Sequence, residues 1–582
     1  MSWPPQRLIL LKACRSPNLS AGRLVMGRAA MGLVGFLWVS GCTVVGPNFT
    51  APEAPVVPAW QETAPLADED LSDENQVGAE NDPAPDQATD SESVTLDPAQ
   101  PVPADWWRVF GDPTLTGLIE QAQKQNLTLQ GAGVRILEAR AQLGIAVGEQ
   151  YPQTQQVGGG YERRLISDNV GVLREITEVI DIDREFDVWE LGADAGWELD
   201  IWGRFRRGIE SADANFTAQI ANYDDILVSL AGEVASTYVA IRTFEERLGL
   251  AEQNVLDQKE SLRIAKVRFR NGTTTELDVF EATALLRNTQ AIVPELTTGL
   301  RQAKNALSIL LGMPPGQLEG LLTEQGSIPT APEEVSVGVP AELLRRRPDI
   351  RAAELQAAAQ SAQIGLAEAD LYPSFTIVGS IGFQASDLGD LFKGRSLAGG
   401  INPSVSWNIF NYGQIKNNVR VQDARLQELI LNYQNTVLAA YQEVENALVG
   451  FVQAQRQTAF LEESVTASKN AVKIALVQYQ EGTASYTRVL NTQSALVRGQ
   501  ERLAQSRGNE VTNLISAYKA LGGGWQVRRG QDLIPADIRQ TMRDRTDWGR
   551  LLRPEEIPSE DLELKPPPSP EPPTLFNRPP DW

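Results

Sequence analysis

From Ile401 to Ile409 the chain alternates, with Ile401, Pro403, Val405, Trp407 and Ile409 apolar and Asn402, Ser404, Ser406 and Asn408 polar. A period of two is that of a strand with two unlike faces. Beyond Phe410-Asn-Tyr-Gly413 the period changes. Ile430, Tyr433, Val437, Tyr441, Val444, Leu448 and Phe451 recur at steps of three and four, the stripe of a coiled-coil helix. No proline interrupts Gln414 to Tyr479. The pattern predicts one helix of about 65 residues, on the order of 100 Å long at ~1.5 Å per residue.

The same unit occurs 210 positions earlier. Ala195, Trp197, Leu199 and Ile201 alternate with Gly196, Glu198 and Asp200, giving a strand over 194–202. Trp197 matches Trp407, Gly203 matches Gly413, Gly272-Thr273 matches Gly482-Thr483, and Leu311-Gly312 matches Leu521-Gly522. A constant offset over this distance is an internal duplication. Upstream, Gln142-Leu-Gly144 and Tyr151-Pro152 match Gln363-Ile-Gly365 and Tyr372-Pro373 at an offset of 221, so the first copy carries eleven extra residues between its strands.

The remaining segments follow from breakers and caps. Asp112-Pro113 opens a helix running to about Gly148, 153–163 is a weak strand, and an acidic loop reaches to about Glu190. In the second copy Arg345-Arg-Arg-Pro-Asp-Ile-Arg351 opens a helix to Asp370, and Phe375, Ile377, Ile381 and Phe383 mark a strand. The expected organisation is a leader (1–41), an acidic proline-rich tether (42–103), a first strand–helix repeat (104–312), a connecting loop (313–340), a second repeat (341–522) and a proline-rich tail without a core (523–582). The fold class is α+β and mostly α: duplicated long coiled-coil helices plus four strands per chain.

Four amphipathic strands have open edges and cannot close a barrel in lipid. Several chains must close it, and three give twelve strands, wide enough for a lumen. Asp194, Glu198, Asp200, Ser404, Ser406 and Asn408 would then face water, and Trp197, Leu199, Ile201, Val405, Trp407 and Ile409 would face lipid. Long helices stacked beneath make a hollow cylinder.

Charge and chemistry narrow the function. The net charge of −23 argues against nucleic acid and anionic lipid as partners, and the chain has no histidine, which removes His-dependent triads and the commonest metal ligand. No nucleophile–base pair stands out, so no enzyme and no bound metal are expected. Gly389-Asp-Leu-Phe-Lys-Gly-Arg-Ser396 has Arg395 where a P-loop needs lysine and joins two strands. Arg345 to Arg347 reads as ion pairing at a helix start, and only Met313 and Met542 follow the leader, which gives copper nothing to bind. The mean hydropathy is −0.24, and the one sustained apolar stretch, Ala29 to Val39, is too short to span a bilayer. It follows Arg28 and precedes Val39-Ser-Gly-Cys42, the pattern of a bacterial lipoprotein signal, with Met26 an alternative start. The covalent lipid expected is a diacylglycerol plus an N-acyl chain on Cys42; an ordinary signal with an incidental cysteine is the rival. From Thr43 to Trp107 there is no Lys or Arg, and twelve acidic residues lie between Gln61 and Pro101.

Five segments carry a resemblance: Arg346-Arg-Pro-Asp-Ile-Arg-Ala-Ala-Glu354, Ala362-Gln-Ile-Gly-Leu366, Ala369-Asp-Leu-Tyr-Pro-Ser-Phe375, the lipobox with Val45-Gly-Pro47, and Trp107 with Phe110-Gly-Asp-Pro113. They resemble the TolC-like outer-membrane factors, nearest to the NodT-type lipoproteins of RND efflux systems. The resemblance implies a homotrimeric transmembrane β-barrel over a periplasmic α-barrel in the outer membrane. Its partners would be a membrane fusion (adaptor) protein and an inner-membrane, proton-driven RND transporter, and it would serve as the exit duct for drugs or other toxic compounds. Gly272, Thr273, Gly482 and Thr483 would form the periplasmic tips that meet the adaptor and close the tunnel, and Thr43 fits outer-membrane sorting. Arg488 and Asn491 stand where relatives often carry carboxylates, which predicts a weaker cation preference at the gate, unless Arg488 pairs with a neighbouring Glu. Type I protein secretion and a non-pore, lipid-anchored scaffold are the rival functions.

Overall fold

The computed structural model describes residues 44–55, 57, 59–61, 95–98, 100–165, 167, 185–318, 320–322, 326–332 and 334–553. The leader, Cys42, the acidic run 62–94 and the proline-rich end from 554 lie outside the described residues. After a short strand β1 (Thr95–Asp97), the first repeat runs α1 (Pro113–Gln125), α2 (Leu127–Gly148), β2 (Thr154–Leu165), β3 (Glu185–Glu198), α3 (Arg204–Arg270) and α4 (Glu276–Leu310). Strand β4 (Glu334–Ser336) and helix α5 (Pro340–Arg346) lead to α6 (Pro348–Ala369), β5 (Ser374–Ala385), β6 (Leu397–Ser406), α7 (Gln414–Gln480) and α8 (Tyr486–Ala520), and a last helix, α9 (Ala536–Arg545), follows.

The duplication is exact in length: α3 and α7 have 67 residues each, α4 and α8 have 35 each. Each long helix starts after a glycine in the left-handed region, Gly203 at φ 81° and Gly413 at φ 84°. Each ends in a turn through Gly272 at φ 69° or Gly482 at φ 80°, a conformation that costs a side-chain-bearing residue about 1 kcal/mol. The Thr273 and Thr483 hydroxyls donate back to the carbonyls of Arg268 (2.9 Å) and Gln478 (3.1 Å), satisfying acceptors left over at the helix ends.

Each return helix continues end to end into a shorter one, which makes the column that matches a long helix. The expected single helix 113–148 is broken at Asn126, and the break has this purpose. Asn126 caps α2 by accepting from Leu129 N (2.9 Å) and donates through Nδ2 to the Leu310 carbonyl at the end of α4 (2.9 Å). Arg347, 221 residues on, does the same work in the second repeat, donating to the Ala520 carbonyl at the end of α8 (3.0 Å). Arg347 also pairs with Asp349 and Glu443, both at 2.7 Å, so this member of the arginine cluster serves ion pairing. The main core lies where α1, α2, α3, α7 and α8 meet, around Trp106, Trp107, Phe110, Tyr238, Tyr441 and Tyr518, with Trp106 stacked on Tyr518.

The strands form one antiparallel sheet in the order β2-β3-β5-β6. Four expectations need correction here. First, β3 begins nine residues before 194 and ends at Glu198, and β6 ends at Ser406, so Leu199, Asp200, Ile201, Trp407, Asn408 and Ile409 lie past the strands. The chain there must turn into Gly203 and Gly413. Second, part of the tether is packed: Trp60 is buried and donates to the Gly338 carbonyl (3.0 Å), and β1 pairs in parallel with β4. Third, the loop 313–340 therefore contains a strand. Fourth, the tail has a core, because Trp525, Leu533, Ile534, Met542 and Leu552 are buried against the helices.

Candidate functional site

Cross-strand register decides which side chains share a face. On one face lie the rows Trp197–Ile377–Pro403, Ala195–Gly379–Ile401, Ala193–Ile381–Gly399 and Leu191–Phe383–Leu397. On the other lie Glu198–Thr376–Ser404, Gln156–Asp194–Ser380 and the pair Ser374–Ser406. Register places Trp197 and Val405 on the apolar face of the sheet and Asp194, Glu198, Ser404 and Ser406 on the polar one. Aromatic residues mark both ends of the apolar band, with Tyr161 against Trp189 at one end (centroids 4.5 Å apart) and Trp202 stacked on Tyr372 at the other (4.7 Å). Trp189 to Trp197 spans about 27 Å at ~3.4 Å per residue. Tilted by about 40°, that is on the order of 20 Å, near the height of an outer-membrane apolar band. Both edge strands are exposed throughout and have no partner on their outer side among the described residues.

Beneath the sheet, Glu198, Asp200, Ser406 and Asn408 line a cavity of about 440 Å³ with Arg204 and Asp370. Asp200 is not a water-facing barrel residue. Its carboxylate accepts from the backbone of Phe205 and Arg206 (both 3.1 Å) and from Arg206 Nε (3.0 Å), so it starts α3. Trp197 and Trp407 donate from Nε1 to the carbonyls of Gln150 (3.2 Å) and Leu371 (3.0 Å), equivalent positions at the ends of the two short helices. Leu199 extends the pairing by one bond, to the Phe375 carbonyl (2.8 Å).

At the opposite end the two helical turns sit side by side, with Gly272, Thr273, Gly482 and Thr483 exposed. Three residues join them. Arg268 Nη1 donates to the carbonyls of Tyr479 (2.6 Å) and Gln480 (2.7 Å) at the negative end of α7, and its guanidinium lies 4.8 Å from the Tyr479 ring centroid. The Tyr479 hydroxyl donates to Asp278 Oδ2 (2.9 Å). Behind them Ala265, Ala282, Ala475, Tyr479, Tyr486 and Val489 form a small apolar cluster. Burial, helped by the Asp278 carboxylate, pushes the Tyr479 hydroxyl up to about 12.

Sequence reading missed Arg268, Asp278 and Tyr479, although the signal was present. At the offset of 210 the copies differ at these positions, with Gln478 opposite Arg268, Phe269 opposite Tyr479 and Arg488 opposite Asp278. Arg488 donates to Gln478 Oε1 (3.1 Å) within its own hairpin, so its partner is an amide and not the Glu of the rival reading. Asn491 is exposed on α8. Higher up, the seam between α3 and α8 is polar: Asn254 donates to Gln500 and Gln493 to Ser261, both at 2.8 Å, and Gln258 is buried between them.

Residues 118–313 and 339–523 match the family model of the outer membrane efflux protein, and these two blocks are the two repeats. The chain is 30% identical over 490 residues to nodulation protein T of Rhizobium leguminosarum bv. trifolii, covering 84% of this chain and 96% of that one. It is 30% identical over 439 residues to the pyoverdine export outer membrane protein OpmQ of Pseudomonas putida, covering 75% and 92%. Among solved structures, the outer-membrane channel OprN superposes with a TM-score of 0.72 at 29% identity, covering 83% of this chain and 99% of that one. A two-faced sheet continuous with paired long helices is the fold the chain shares with OprN, and the chain belongs to the outer membrane efflux protein family of outer-membrane channels.

Proposed function

We propose that three copies of the chain join edge to edge into a twelve-stranded barrel over a helical tunnel. Cys42 carries the lipid, and the tips dock on a membrane fusion protein coupled to an inner-membrane RND transporter. The channel works by passage rather than catalysis, and the energy comes from the partner pump. The observation that carries this reading is the sheet itself: one apolar face, one polar face, and two free edges that lipid does not tolerate unpaired. A scaffold without a pore has no use for that division. Export of small molecules is favoured over protein secretion by the likeness to OpmQ and to the toluene efflux pump outer membrane protein TtgI.

The test is conductance of the purified protein in planar bilayers, together with membrane insertion of paired variants. Ile401→Arg puts a cation on the apolar face near mid-band and is expected to cost about 2–4 kcal/mol per chain, enough to prevent insertion. Ser404→Arg, three residues away on the other face, is expected to insert normally and to change only ion flow. Equal loss in both variants would refute the assignment of faces.

Arg488 is exposed beside the second tip, and its charge weakens the attraction of cations there. Reversal potentials in a salt gradient are expected to move toward cation selectivity in Arg488→Asp; no movement would remove Arg488 from the gate.

A further inference from the structure

The segment 44–50, just after the lipobox, does not hang free. Val45 N donates to the Trp202 carbonyl (3.0 Å). Arg207, only 3% exposed, donates from Nε to the Val45 carbonyl (3.1 Å) and from Nη2 to the Gly46 carbonyl (3.1 Å) and Asn48 Oδ1 (2.9 Å), while Glu210 takes Nη1 at 2.7 Å. Three of its guanidinium hydrogen bonds are thereby spent on holding one strap, and Glu210 of α3 holds the guanidinium in place.

Three glycines make the room. Gly46, at φ 89°, lies so close to α6 that a Cβ on it would stand 2.3 Å from the Gly365 Cα. A Cβ on Gly365 would stand 2.7 Å from the Val45 oxygen, and one on Gly203 would stand 2.8 Å from the Val44 side chain. The strap thus lies in a slot between the start of α3 in the first repeat and α6 in the second. A buried arginine spending its hydrogen bonds on backbone carbonyls of a remote segment is a built site, since a buried charged donor left without its partners is costly.

The slot sits directly below the Trp202–Tyr372 stack, at the rim of the apolar band. Cys42 is two residues from Val44, within about 7 Å of chain length. We infer that this slot is a seat for the N-terminal strap, with Arg207 as its positioning residue. The seat fixes the lipidated cysteine at the barrel rim, so that the acyl chains and the barrel enter the membrane as one unit. The inference rests on the lipidation of Cys42 proposed above. It replaces a long tether with an anchor held in contact with the wall it serves.

The test compares four full-length proteins: wild type, Arg207→Met, Cys42→Ser behind a cleavable signal lacking the lipobox, and the double variant. The readouts are the SDS-resistant oligomer in the outer-membrane fraction, chymotrypsin cleavage after Phe49 and the mass of the N-terminal peptide. Each single variant is expected to lower the oligomer about tenfold, and the double variant no further, because anchor and seat act as one element. Arg207→Met is also expected to speed cleavage at Phe49 about tenfold, because the strap leaves its slot. A double variant about a hundredfold down would mean that Arg207 merely stabilises the fold, and the seat would be refuted. Gly46→Val alters the strap and no helix, and it must reproduce the Arg207→Met result; wild-type behaviour would also refute the seat. An N-terminal peptide without lipid in the wild type would instead overturn the lipidation and the anchoring role with it, while slow cleavage at Phe49 would still report a docked strap.

Discussion

Arg268→Ala combined with Tyr479→Phe is expected to raise single-channel conductance several-fold and to flatten its dependence on the adaptor. The two hairpins of a subunit are joined at the tip by the Arg268 bonds to the end of α7 and by the Tyr479–Asp278 bond, an arrangement we assign to the closed channel. Tyr479 is buried but Arg268 and Asp278 are half-exposed, so water competes for their side of each link, which is worth about 1 kcal/mol. Above the tip the α3–α8 seam is held by Asn254–Gln500 and Gln493–Ser261, polar contacts that water replaces at little cost. Removing both links in every subunit therefore shifts the closed–open balance by several kcal/mol, enough to exchange the dominant state. Arg488→Ala is the control. Arg488 bonds within its own hairpin, so its loss should change selectivity and leave the conductance level alone.

The same link carries a pH signature with a definite sign. The closed tip keeps the Tyr479 proton beyond the ordinary tyrosine value of 10.0, up to about 12. A raised tyrosine value means that the closed form binds more protons than the open form in that interval. The contribution of the bond to closure is thus fully present below pH 10 and is lost as the pH rises through about 12. Conductance should be flat at neutral pH and climb only in the alkaline range. Tyr479→Phe should abolish that climb; a climb that persists would place the titrating group elsewhere.

Much of the architecture was legible because the chain states it twice. The offset of 210 located both long helices, both tip turns and the strand faces, and periodicity supplied the secondary structure within them. The upper half of β3 was obscured because Glu185, Asp187 and Glu190 stand among its apolar residues, so a strand that projects beyond the lipid reads as an acidic loop. The helix break at Asn126 was hidden because its reason is the end of α4, 184 residues away. The strap was hidden for the same cause: its glycine, Gly46, is explained by Gly365 and Arg207, not by its neighbours in sequence. The gate residues were the exception, since subtracting one copy from the other would have exposed them.

The segment 523–553 was the largest misreading, and its removal should have a large effect on stability. Its apolar residues follow no period because they fill separate hollows. The Trp525 indole donates to the Arg346 carbonyl (2.9 Å), and Leu533 and Ile534 lie over α2 so closely that a Cβ on Gly133 would stand 2.6 Å from the Leu533 oxygen. Between them the Arg528 guanidinium, 5% exposed, meets the Asp224 carboxylate of α3, 8% exposed, through two hydrogen bonds. Such a pair adds little net stability, yet breaking it leaves a buried charge without its counter-ion, at a cost of about 3–5 kcal/mol. Arg528→Met and Asp224→Leu should each lower the melting temperature of the detergent-purified protein by several degrees, followed by circular dichroism at 222 nm. The double variant should recover most of that loss, because two apolar side chains of similar volume replace the pair without an orphaned charge. Additive losses would show that Arg528 and Asp224 act separately. Ending the chain at Gly522 would uncover the Trp106 cluster, since Trp106 and Val102 pack against Gly523 and Trp107 against Gly524. That truncation should cost more than either point variant and lower the yield of folded protein in the membrane, whereas unchanged melting and yield would return the segment to the role of a dispensable tail.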